Sequence, residues 1–237
     1  MKEYACPKEQ FLRDVGEHVL TVLRDDGVDR HLRFREPGTS CYGFDLITWG
    51  GHLLITGDCG SFLFRRLEDM FEFFRSDREP KDELHLNPQY WSEKLLATDC
   101  NGRRGGAATE FSKEKFEASI KRWFDEHFEE EIREDAEPDE ESGFHDSMSI
   151  ATRKARRDAI WAEIESDVLA HSDNEHQAAQ AAYDFEHDGF NFQDFYEVDN
   201  TEYTFHFIWC AYAIAWGIKR YDEAKALAAQ QPSEVPA

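Results

Sequence analysis

The chain has 237 residues, of which 41% are hydrophobic and 14% aromatic, with 19 Phe and 6 Trp, a composition that excludes a disordered protein and suffices for one large core or two small ones. Its 27 Lys and Arg face 50 Asp and Glu, and the resulting −23 argues against direct binding to phosphate backbones. No run nears the ~18 apolar residues of a membrane span; the most apolar stretch, FIWCAYAIAWGI (207–218), has 12 residues and reads as a buried helix.

In chain order, residues 7–25 predict an opening helix, with Phe11, Val15, His18, Val19 and Val22 on one face and Gly27 as its stop. The stretches 31–36, 41–49, 52–57 and 61–66 alternate as strands do. They are separated by Pro37-Gly38, Gly50-Gly51 and Asp58-Cys59-Gly60, so an antiparallel meander of four strands is expected. A short amphipathic helix follows over 67–76. Asn87-Pro88 opens another that runs through the LLATD segment, since Pro suits the first helical turn. NGRRGGAAT (101–109) is a Gly-rich loop. Ser112 caps a helix to about Arg133, with Phe116, Ile120, Trp123, Phe124 and Phe128 as its apolar stripe. An acidic linker covers 134–146. A long helix spans 149–171, with RKARR at its start and acids toward its end, an order that opposes the helix macrodipole. A shorter helix covers 172–186, an irregular segment 190–202, and a last, mostly buried helix 203–229.

The expected class is α+β. A sheet-bearing region (1–124) holds the four-stranded antiparallel meander with flanking helices, and an acidic helical region (125–237) packs back on it, the two forming one composite domain. The charge is uneven between them. Residues 1–124 carry −3, residues 125–162 carry −8 and residues 163–237 carry −12; from Glu163 to Glu202 there are 12 acids and no Lys or Arg. The five cysteines are odd in number, scattered, and free of CxxC spacing, and MKEYACPKEQ lacks a signal-peptide core. Both point to reduced thiols in a cytoplasm.

The stretches FREPGTSCYGFDLITWGGHLLITGDCGSFLFRRLEDMFEFF (34–74), LNPQYWSEKLLATD (86–99) and FHFIWCAYAIAWGIKRYD (205–222) resemble a group of proteins encoded by bacteriophages, prophages and other mobile elements. The resemblance implies a bacterial cytoplasm and an accessory phage function, of the kind that includes anti-CRISPR and anti-restriction inhibitors of host defence. It brings no catalytic residues with it.

Candidate chemistry is sparse. Asp45, His52, Asp58 and Cys59 offer the residue types of a small hydrolase or transferase, with Cys59 and His52 as a nucleophile pair. Yet Asp58 and Gly60 are also what a hairpin turn needs. Arg103 and Arg104 in the Gly-rich loop lack a phosphate-loop pattern. His171, Asp173, Glu175 and His176 lie within six residues but do not match a zinc motif, and Ser172 or Asp173 as a helix cap accounts for the polarity; no metal or cofactor is expected.

The stronger signal is the acidic surface. Helical carboxylates three or four residues apart sit roughly 5–6 Å from one another, within side-chain reach of the ~3.4 Å phosphate repeat of a nucleic-acid strand. Glu126, Glu129, Glu130, Glu131, Glu134 and Asp135 form one such tract, and Glu163 and Asp167 another. In FNFQDFYEV (190–198), Asp194, Phe195, Tyr196 and Glu197 combine acids with aromatic anchors. The expectation is a non-enzymatic phage protein that mimics DNA and inhibits a basic, nucleic-acid-binding host defence complex. A structural, oligomerising role is the other alternative to the hydrolase.

Overall fold

The computed structural model describes residues 4–75, 84–99, 108–136 and 150–230, with side chains described outside 130–136 and 150–151. The chain divides into two compact units. The first joins Met1–Glu110 to Tyr203–Ala237, and the second is the intervening Phe111–Glu202. A cut between residues 124 and 125 would fall inside one continuous helix.

The first unit is built on a six-stranded, wholly antiparallel meander in sequential order. Its strands are β1 (Val19–Asp26), β2 (Asp29–Arg35), β3 (Phe44–Trp49), β4 (His52–Gly57), β5 (Gly60–Arg65) and β6 (Leu95–Thr98). The four predicted strands are the central ones, and an edge strand flanks them on either side. The expected helix over 7–25 is therefore corrected. It ends after α1 (Lys8–Asp14), and β-branched Val19, Thr21 and Val22 pair onto β2. Gly27, with φ +61°, is the first residue of the two-residue β1–β2 turn, where a positive φ matches the twist of a hairpin. The helix opened by Asn87 also stops early. Asn87 caps α3 (Pro88–Ser92) by accepting from the Tyr90 amide, and Leu95–Thr98 instead pairs with the free edge of β5.

Alternation along the strands sends Leu32, Phe34, Phe44, Leu46, Leu53, Ile55, Phe62 and Phe64 to one face, all at 1% exposure or less. That face packs with α1, α2 (Met70–Arg75), α3 and α7 (Phe205–Gln230) in one core. α7 is apolar nearly all round and contributes Phe207, Ile208, Trp209, Ile214 and Ile218. Gly217 lets it approach the sheet: a Cβ there would lie 2.8 Å from Leu46 Cδ1 and 3.1 Å from a Phe34 ring atom. Arg30 enters the same core. It is paired bidentately with Asp69 at 2.8 and 2.9 Å, and its guanidinium lies over the Phe71 ring.

The second unit has its own core. α4 (Lys113–Ala136) presents Phe116, Ile120, Phe124 and Phe128, spaced four apart. α5 (Ile150–Asp167) presents Ile160 and Ile164, and α6 (Glu175–Asp184) presents Ala178 and Ala182. Phe185, Phe190, Phe192 and Phe195 complete it, around a short hairpin of β8 (Glu186–His187) and β9 (Phe190–Asn191). Ser112 caps α4 by accepting from the Lys115 amide. Asn174, rather than Ser172 or Asp173, caps α6 by accepting from the His176 and Gln177 amides. Thr109–Phe111 (β7) and Thr201–Tyr203 (β10) form a separate two-stranded ribbon. Among the described residues no helix is long and apolar enough to cross a membrane.

Candidate functional site

The second unit holds 27 acids and 9 bases, so 92 of the 237 residues carry −18 of the −23. Five of the nine bases that would dilute this charge pair within the unit. Lys121 and Arg157 both reach Asp125, Arg156 reaches Asp188, Lys113 reaches Asp173, and Lys115 donates to the Thr201 carbonyl. Arg156 and Arg157 also lie over the rings of Phe128 and Phe124. Two of the four bases at the start of α5, unfavourable for its own helix dipole, are thus explained by tertiary pairs with aromatic rings and carboxylates. Burial works to raise the Asp125 carboxyl, but Lys121 and Arg157 overcome it and hold the group below the ordinary carboxylate range.

Three adjoining depressions run over this unit. The first, about 660 Å³, has an aromatic floor of Phe111, Phe116, Phe185, Phe192 and Phe195 and a rim of Glu175, Asp184, Glu186, Asp194 and Asp199. A second, of about 730 Å³, is bordered by Trp123, Glu126, His127 and Glu129, and it shares Asn191 and Gln193 with the first. A third, of about 580 Å³, contains Asp167, His171 and His176 and shares Asp184, Phe185 and Glu186 with the first. The acids of α4 and those of the 163–202 tract therefore meet around one string of concavities.

The turn at residues 194–198 explains how the aromatic segment is divided. Asp194 adopts φ +57°, a left-handed conformation that Asp tolerates better than most residues. After it, Phe195 points into the core at 6% exposure, against Phe116, Trp123 and Phe192, while Tyr196 points out at 77%. Tyr183 on α6 is likewise 79% exposed, one residue past the buried Ala182. Both tyrosines border the first depression, together with Asn200, whose Oδ1 is buried and, among the described residues, has no hydrogen-bond partner. Asp199 is held below the ordinary carboxylate range, chiefly by the Thr201 hydroxyl and then by the Thr201 amide.

The predicted residues are thus distributed unevenly. Glu126, Glu129, Asp167, Asp194, Tyr196 and Glu197 are exposed, and Glu163 is half-buried. Phe195 is a core residue and not a free anchor, because its ring fills the unit's own interior. Glu130, Glu131, Glu134 and Asp135 lie on α4, but their side chains fall outside the described residues, as do the 137–146 part of the acidic linker and the loop with Arg103 and Arg104. Tyr183, Asp184, Glu186, Asp199 and Asn200 were not among the predicted residues. Tyr183 was legible, since a residue following an i, i+4 pair of inward alanines leaves the buried stripe.

The hydrolase candidates do not converge. His52 opens β4, donating from Nδ1 to the Gly50 carbonyl and stacking on Trp49, whereas Asp58 and Cys59 follow the strand's other end. A six-residue strand separates them by roughly 17 Å. Asp58 accepts from the Tyr42 amide, and Cys59 is buried at 5% exposure with its thiol pushed up to about 12 by burial and then by Asp58. Asp45 is clamped by His31 at 2.7 Å, by Arg33 through two bonds at 3.0 and 3.1 Å, and by Arg35. Among the described residues no group of three or more His, Cys, Asp and Glu is arranged to hold a metal ion. No family model, curated protein or solved structure matches the chain.

Proposed function

We propose that this chain is a binding protein whose second unit engages the nucleic-acid-binding surface of a basic protein. The observation that carries this reading is a continuous string of acid-rimmed concavities in a unit of net charge −18, in which Lys113, Lys115, Lys121, Arg156 and Arg157 are taken up by the unit's own groups. A row of unneutralised carboxylates offers a basic channel the charge pattern of a nucleic-acid backbone, speeds encounter, and makes affinity fall with salt. With the resemblance noted above, the setting is a phage-encoded accessory protein acting on a host defence complex in the bacterial cytoplasm.

The test is capture from a bacterial lysate on the immobilised chain at low and high salt, with duplex DNA or RNA added as competitor. The retained proteins are expected to be nucleic-acid-binding proteins, released both by salt and by the competitor. Retention that nucleic acid does not compete, or retention of no nucleic-acid-binding protein at low salt, rejects the reading. Charge reversal at the exposed Glu126 and Glu129 is expected to weaken capture.

One observation favours self-association as a second reading. β1 is a sheet edge with Val19, Val22 and Leu23 between 47% and 56% exposed, a template for pairing with another strand. Light scattering over a concentration series distinguishes it: a monomer at all concentrations removes it.

A further inference from the structure

Resting on the reading of the second unit as a binder of basic proteins, we propose that the cleft bordered by Tyr183 and Tyr196 is an arginine-reading site. It takes the guanidinium side chain of an extended basic segment of the partner.

Four features of the cleft converge on this chemistry. Tyr183 and Tyr196 are the two most exposed large apolar side chains among the described residues, and both border the same concavity. Aromatic faces held in water at this level are at their most useful against a flat, weakly hydrated cation, because the ring quadrupole attracts the charge and the plane stacks on the plane. The floor beneath them is aromatic, so the methylene stem of a long side chain finds apolar surface to cover. Asp184, Glu186 and Asp194 stand at the rim, and no Lys or Arg is among the residues that border the cleft. Finally, Asn200 Oδ1 is a buried acceptor without a donor among the described residues, and a guanidinium brings five donors in a fixed fork.

The alternatives fit less well. A nucleic acid meets the acid rim with like charge. A lysine brings charge without the planar face or the fork, so it uses the rim but not the walls. The volume of about 660 Å³ exceeds one side chain, which suits a short stretch of peptide with one arginine seated and its neighbours over the rim.

The test uses the full chain and two dye-labelled peptides of equal length and charge, one alternating Arg and Gly, the other Lys and Gly, read by fluorescence anisotropy at low and physiological salt. Both peptides bind at low salt, and the arginine peptide binds about 5-fold or more tightly than the lysine peptide. The Tyr183→Ala/Tyr196→Ala double variant loses that preference and binds both at the lysine level. Tyr183→Phe/Tyr196→Phe keeps it, since the ring faces remain. Equal binding of the two peptides by the parent protein, or a preference unchanged in the alanine variant, overturns the cleft and leaves the acidic-surface reading standing. Binding of neither peptide at low salt overturns both. The two tyrosines are almost free of neighbours, so the melting temperature of the variants is expected to match the parent and serves as the folding control.

Discussion

The Arg157 guanidinium on α5 donates to the Asp125 carboxylate on α4 at 2.7 Å and lies 5.5 Å from the centroid of the Phe124 ring. One base thereby neutralises an acid, covers a core aromatic and ties two helices of the most acidic part of the chain. Arg157→Ala is expected to destabilise the second unit by about 1 kcal/mol, because both partners keep substantial exposure and the pair is screened. Added salt is expected to raise the unit's melting temperature in parent and variant alike, since screening relieves the self-repulsion of −18. Thermal unfolding followed over a salt series checks both; a melting temperature that falls with salt contradicts the second.

The close approach of α7 to the sheet gives a sharper mutation. Gly217→Val places three carbons where Leu46 and Phe34 already stand. Overpacking of this kind costs about 1–3 kcal/mol. Urea unfolding is expected to show a lower midpoint with an unchanged slope.

Asp45 and Asp69 set the acid limit of the first unit. For each, burial works to raise the carboxyl, and hydrogen bonds from Arg33 and His31, or from Arg30, overcome it and hold the group below the ordinary value. Because the folded pKa lies below the unfolded one of about 3.9, their contribution is fully present above that pH and is lost as pH falls below it. Asp69→Asn leaves the Arg30 charge in the core beside a neutral partner and is expected to cost about 2 kcal/mol near neutrality. The variant is expected to lose less stability than the parent between about pH 4 and pH 3, measured by urea unfolding at each pH. Equal acid losses would remove Asp69 from the account.

The buried thiols discriminate against nucleophilic catalysis. Cys6 and Cys59 are each pushed up to about 12, mainly by burial, and Cys210 is also raised by burial, while Cys41 is exposed. In a Cys100→Ser background at about pH 8, a thiol reagent is expected to modify Cys41 rapidly and the other three only on unfolding. Rapid modification of Cys59 in the folded protein would reopen the hydrolase reading.

Local chemistry in the sequence determined the four central strands, because Gly, Pro and Asp at hairpin spacing and strict alternation leave little choice of register. It also determined the apolar stripe of α4, the burial of the apolar run in α7, and the concentration of charge after residue 124. Tertiary structure alone decided the rest. Residues 19–26 and 95–98 are strands only because β2 and β5 present free edges to pair with, and a short apolar run cannot announce that by its period. Arg156 and Arg157 of α5 oppose their own helix dipole and are explained only by Asp125, Asp188 and two rings brought from elsewhere in the unit. In the aromatic segment, the left-handed turn at Asp194 sends Phe195 inward and Tyr196 outward, which composition could not distinguish. Whether the two acid tracts meet depended on how helices pack, because carboxylates far apart in sequence share a concavity only when a core such as Phe124, Phe190 and Phe195 draws their backbones together.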